Sequence, residues 1–269
     1  MRLAFAIIRI GGAAANDYNR VPNPARSKIG TDKKARLDLS VRYAIYAVPP
    51  ADQPLWRLAS TWLGRDPETG AEAPPELPLW LARDRWRELT RDARQYGFHG
   101  TLKPPMTLAG GRTPDGLDAA LSLFASEQMA LPPLALQVAT LGGFLALVPR
   151  EPSAALKRLA DLAVERFDRF RAPSTEAELA RRRQVPLSTR QEEYLARWGY
   201  PYVFDEYRFH MTLTARLSDT DRPRIAAYLT DLLAPALAQP TTLGMALFVQ
   251  DTRETPFRLA RRFRLGSAS

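Results

Sequence analysis

Phe98-His99-Gly100-Thr101-Leu102 and Phe209-His210-Met211-Thr212-Leu213 decide the reading of this chain, because one Phe-His-x-Thr-Leu frame surrounds each of its two histidines. A lone histidine on an apolar segment is ordinarily a hydrogen-bonded structural residue. Two copies of one frame around the scarce side chain point instead to one shared site. Each frame is short, rich in aromatic, β-branched and aliphatic residues, and bounded by chain breakers: Gly97 and Pro104-Pro105 around the first, Ser218-Asp219 after the second. That composition predicts strands. Residues i and i+2 of a strand share a face, roughly 6.5–7 Å apart, so His99 falls with Thr101 and His210 with Thr212. The other faces, Phe98, Gly100 and Leu102 on one strand and Phe209, Met211 and Leu213 on the second, are mostly apolar and suit a core.

If the two strands lie side by side, two imidazoles and two hydroxyls meet on one patch. Hydrolysis of a phosphodiester asks for such a set: a neutral imidazole to take a proton from the attacking oxygen, an imidazolium to protonate the leaving oxygen, and hydroxyls to hold the non-bridging oxygens. The same alternation adds Lys103, two residues after Thr101, and Arg208, two before His210, as candidate substrate-binding cations. Thr214 and Arg216 continue the series toward the strand end.

Composition sets limits. A chain of 269 residues, 45% hydrophobic and 25% charged, allows one or two domains with a sizeable core. No cysteine is present, which excludes a disulfide framework, a thiolate nucleophile and any cysteine-based zinc or iron–sulfur site. Both histidines being assigned, no metal and no cofactor are expected, although a carboxylate-only magnesium site stays open. A net charge of +9 attracts anions, whether a small phosphorylated substrate, the favoured partner, or nucleic acid. No apolar run approaches the roughly 18–20 residues of a membrane span, and Leu3–Ile8 is short for a secretory signal, so a cytoplasmic location without a membrane partner is expected. Residues 1–40, rich in Asn, Pro, Gly and Lys, read as a disordered and dispensable extension ahead of a single domain over 41–269.

The remainder shows an internal repeat. After the first frame come a helical segment from Leu117 to Ser126 and strand-like runs over Leu134–Thr140 and Phe144–Val148. After the second come a helix from about Arg222 to Leu233 and strands over Thr242–Gln250 and Phe257–Leu265. A duplicated βαββ unit would set its two histidine strands about a pseudo-twofold axis. Between the repeats, Ser153 reads as the N-cap of a helix with Leu156, Leu159, Ala163, Phe167 and Phe170 on one stripe, and Thr189 with Glu192 as a capping box for a helix ending at Gly199. Arg181-Arg182-Arg183 reads as a solvated helix face, and Arg261, Arg262 and Arg264 as charge protecting an edge strand. Tyr43 and Tyr46 have opposite parity on the first strand, so one of them can face the groove.

Two His-x-Thr motifs 210 − 99 = 111 residues apart resemble the 2H phosphoesterase superfamily. Arg42-Tyr43-Ala44-Ile45-Tyr46, Trp62-Leu63-Gly64-Arg65-Asp66, Tyr96 to Lys103 and Gly199 to Phe204 resemble its phosphonate-metabolism-associated, DUF1045-like branch. The resemblance implies a bilobal α+β fold of duplicated βαββ units, with two antiparallel sheets flanking a central groove. It implies His99 and His210 as acid and base, in either order, Thr101 and Thr212 as phosphate ligands, and no metal. The implied reaction opens 5-phosphoribosyl 1,2-cyclic phosphate to ribose 1,5-bisphosphate. An RNA-end or nucleotide 2′,3′-cyclic phosphodiesterase and a non-catalytic phosphate-binding protein are the alternatives, and oligomeric state is left open.

Overall fold

The computed structural model describes residues 41–266; the expected N-terminal extension over 1–40 lies outside them. Within that span the chain is α+β. Strand β1 (Arg42–Val48) leads through α1 (Pro54–Leu63) and α2 (Arg83–Tyr96) to β2 (Gly100–Met106), then α3 (Pro114–Glu127) and the hairpin of β3 (Leu136–Leu141) with β4 (Phe144–Pro149). Helices α4 (Ala154–Phe167), α5 (Glu176–Arg182) and α6 (Thr189–Trp198) precede β5 (Met211–Thr212). Helix α7 (Asp221–Leu237) and strands β6 (Gly244–Gln250) and β7 (Arg258–Phe263) complete the span.

The seven strands form one antiparallel sheet in the order β3-β4-β5-β2-β1-β6-β7, which corrects the expectation of two sheets. The physical reason is the pairing of Gly100 with Met211: the two histidine strands are neighbours in one ladder, so the halves run on into each other. The order strand, helix, strand, strand does occur twice, as β2-α3-β3-β4 and β5-α7-β6-β7. Yet β4 pairs with β5, and β6 with β1, so neither hairpin pairs with the histidine strand of its own unit.

Capping follows local chemistry. Ser153 accepts from the Leu156 amide at the head of α4, whose buried stripe is the expected one. The capping box of α6 is Ser188 with Gln191, one residue earlier than read, and Gly199 ends the helix at φ 70°. Two buried indoles tie the helices to the sheet: Trp86 Nε1 donates to the Trp62 carbonyl at 2.8 Å, and Trp62 Nε1 donates to the Leu213 carbonyl, just past β5, at 2.8 Å. Edge strand β7 carries Arg261 and Arg262, ion-paired with Asp118 and Glu68. Among the described residues no helix is long and apolar enough to cross a membrane.

Candidate active site

Register builds the site. Gly100 opposite Met211 fixes the antiparallel count, so extending the ladder one residue each way sets His99 across from Thr212 and Thr101 across from His210. Opposed residues of an antiparallel pair project on the same face, with Cβ atoms about 4.5–5.5 Å apart and diagonal neighbours about 7–8 Å apart. In register the four positions thus make two opposed pairs, histidines on one diagonal and threonines on the other. His99 Nε2 lies 3.3 Å from Thr101 Oγ1, and Thr101 and His210 line one groove with about 550 Å³ of open space. Neither His99 nor Thr212 is among the residues that wall this groove.

Both histidines stand just outside the regular strands, which begin at Gly100 and Met211, and the same backbone contact explains each. His99 Nδ1 donates to the Gly97 carbonyl at 2.9 Å, and His210 Nδ1 donates to the Arg208 carbonyl at 2.8 Å. A carbonyl can only accept, so Nδ1 carries the proton in both rings. Tyr46, buried, stacks on His99 with ring centroids 3.7 Å apart and planes at 21°. On the far side, Tyr207 donates its hydroxyl to the Thr101 carbonyl at 2.9 Å, fastening the approach to His210 onto β2. The remaining groove wall includes Tyr200, Tyr202 and Arg208.

Burial pushes both imidazoles below the ordinary histidine value of 6.5: His99 to about 4, and His210 in the same direction. Their carbonyl partners oppose the shift in each ring. The charge of His210 depresses His99 further.

The other expected ligands divide. Arg208 is exposed and lines the groove. Lys103 does not join it. Tyr46 pairs with Thr101 but Ile45 pairs with Lys103, so one step along β1 spans two along β2. This β-bulge at Leu102 breaks the two-residue alternation and puts Lys103 on the face of Ile45, opposite Thr101. There Lys103, 2% exposed, donates to the Val164 carbonyl at 3.0 Å and to Asp168 at 3.2 Å, and burial lowers its pKa to about 8. Thr214 is also withdrawn: it is buried, and its hydroxyl accepts the Leu145 amide at 2.9 Å. The Leu213 and Thr214 amides share the Leu145 carbonyl, which ends β5 and the same-face series with it. Arg216 is exposed and lies over Gly143.

The second frame also explains the glycine in the first. A Cβ built on Gly100 would run into the Phe209 ring, so only glycine lets the two frames close to this distance. Among the described residues no group of three or more His, Asp or Glu is placed to hold a metal ion.

The profile of a family described as "Protein of unknown function (DUF1045)" matches residues 101–258. A "Ribose 1,5-bisphosphate phosphokinase PhnN" of Laribacter hongkongensis (strain HLHK9) is 39% identical over 222 residues, 82% of this chain and 51% of that protein. A protein of the same name from Janthinobacterium sp. (strain Marseille) is 42% identical over 180 residues, 67% of this chain and 40% of its own length. The chain thus spans about half the length, or less, of these curated relatives. Among solved structures, a conserved protein of unknown function, ATU0111 from Agrobacterium tumefaciens str. C58, aligns over 84% of this chain and 87% of its own, at 13% identity and a TM-score of 0.39.

Proposed function

The chain belongs to the DUF1045 family, and on that premise we propose that it is a metal-independent cyclic phosphodiesterase of the 2H phosphoesterase type, acting on a small sugar phosphate in phosphonate metabolism. The observation that carries the reading is the meeting of the two His-x-Thr motifs on neighbouring strands, each histidine donating from Nδ1 to a carbonyl two residues back. Thr101 and Thr212 hold the non-bridging oxygens. His99, which burial and the charge of His210 both hold toward the neutral form, takes the proton of the attacking water, and His210 gives its proton to the leaving oxygen. A new phosphorus–oxygen bond forms to water as the bond to one ring oxygen breaks. With 5-phosphoribosyl 1,2-cyclic phosphate, breaking the bond at O2 yields ribose 1,5-bisphosphate. That product is the compound in the printed name of both curated relatives.

A kinase reading is the rival those names raise. A phosphate-binding P-loop requires a Gly-Lys pair, and none of the chain's lysines follows a glycine. The chain therefore carries no P-loop of that kind. A nucleotide 2′,3′-cyclic phosphodiesterase draws support from the tyrosines on the groove wall. Tyr200, however, already has Arg182 over one face and its edge against Tyr202, which leaves little ring for a stacked base.

Purified protein in chelator should open the ribosyl 1,2-cyclic phosphate faster than a 2′,3′-cyclic mononucleotide or a cyclic-ended oligonucleotide. It should transfer no phosphate from ATP to ribose 1,5-bisphosphate. His99→Ala and His210→Ala should each lower kcat by at least about 10²-fold, the usual worth of a positioned acid or base. Full activity in either variant would falsify the acid–base pair.

A further inference from the structure

Beside the histidine groove lies a second pocket, with about 570 Å³ of open space, that shares Pro104 with it and is walled in part by Arg42, Arg181 and Arg182. The basic run at the end of α5 divides here. Arg183 leaves for solvent and pairs with Glu192 at 3.0 Å, whereas Arg181 and Arg182 turn to the pocket. The Arg182 guanidinium sits 4.6 Å from the centroid of Tyr200, whose ring also forms a wall of the histidine groove, so a single ring separates this cation from the groove. Arg181 lies within electrostatic reach of Arg253, Arg182 and Arg42; burial first, then those like charges, lowers its pKa.

Counter-charge is scarce. Glu178 is the acidic residue on the pocket wall, and it is ion-paired with Arg253 at 2.6 Å. Neither Arg181 nor Arg182 forms an ion pair among the described residues. Half-buried guanidinium groups without matching carboxylates repel one another, and an anion in the pocket relieves that repulsion.

We propose that the Arg42, Arg181 and Arg182 pocket binds a phosphate monoester, the second anionic group of the ligand whose cyclic diester lies at His99 and His210. A monoester presents three free oxygens and close to two charges, which suits forked donation from more than one guanidinium. The assignment rests on the diesterase reading for the identity of the ligand, while the pocket itself can be tested apart from turnover.

Ribose 5-phosphate, with a monoester and no diester, is the probe. Calorimetric titration should show it binding the wild-type chain, and Arg181→Gln with Arg182→Gln should weaken that binding at least about tenfold, the loss of charge-assisted hydrogen bonds. The ligand-free midpoint of thermal unfolding should hold or rise in the double variant, because repulsion has been removed. If the double variant unfolds, Arg181→Lys alone, which keeps the charge and loses the fork, should give a smaller weakening. Binding that is absent from the wild type, or unchanged in these variants, overturns the subsite. In turnover, the preference in kcat/KM for the cyclic ester with a 5-phosphate over the same ester without it should fall about 10²-fold in the double variant; an unchanged preference overturns the subsite too. Failure of the diesterase reading looks different: ribose 5-phosphate binds through the arginines, yet neither ester is opened.

Discussion

His99 and His210 each commit one ring nitrogen to a carbonyl two residues back, and this fixes their pH behaviour as much as their orientation. In the free protein His99 remains neutral down to about pH 4, so kcat/KM should climb through that region and decline as His210 loses its proton, with an optimum on the acid side of neutrality; a pH–rate profile rising up to pH 8 would contradict it. Stability carries the same signature. The folded pKa of His99 lies below its unfolded value of about 6.5, so between 6.5 and 4 the unfolded chain binds the extra proton and stability drops as pH drops. Urea midpoints should record a loss across that window, of which His99 contributes no more than about 3 kcal/mol, read as the difference from His99→Asn. Lys103 makes the opposite point about cations near a site. Its amine serves Val164 and Asp168, and Arg171 also holds Asp168, at 2.8 Å. Lys103→Met should lower the urea midpoint only modestly, since a carboxylate that keeps one cation is spared most of the penalty of an unpaired charge.

At the scale of elements, the close approach of β2 and β5 hangs on one missing side chain. Gly100→Ala would drive a methyl group into Phe209, and overpacking of this kind costs about 1–3 kcal/mol. Chemical denaturation of the variant should show that loss, together with a fall in kcat as the histidine strands part. The position and type of most elements were legible in the sequence, as were the α4 stripe and the end of α6 at Gly199, because hydrophobic period, caps and breakers are local signals. So was the sharing of one face by His99 and Thr101, two residues apart on a short strand. What escaped the sequence depends on partners far along the chain. The bulge that turns Lys103 away exists only against Ile45 and Tyr46, and the end of β5 only against Leu145. Likewise the division of Arg181 and Arg182 from Arg183 depends on Tyr200 and Glu192, which no local periodicity announces.

For the whole molecule, one sheet with the site at the β5–β2 seam makes a thermodynamic statement: the two halves share a ladder in the middle and should unfold together. Tryptophan fluorescence, reporting among others Trp62 in α1 and Trp86 in α2, and far-UV circular dichroism should trace coincident denaturation curves. Separated curves would mean that the halves melt independently and that the seam is weak. The seam has a further consequence. Through the Gly100–Met211 pair the register of the two motifs is a palindrome: rotated by half a turn, position 99 falls on position 210 and 101 on 212. A palindrome has no preferred reading direction, so under the proposed diesterase activity the register alone would treat the two ester oxygens of a cyclic phosphate as equivalent. The choice of which bond opens is then dictated by the margins, where the text is not symmetric, with stacked Tyr46 behind one histidine and exposed Arg208 ahead of the other.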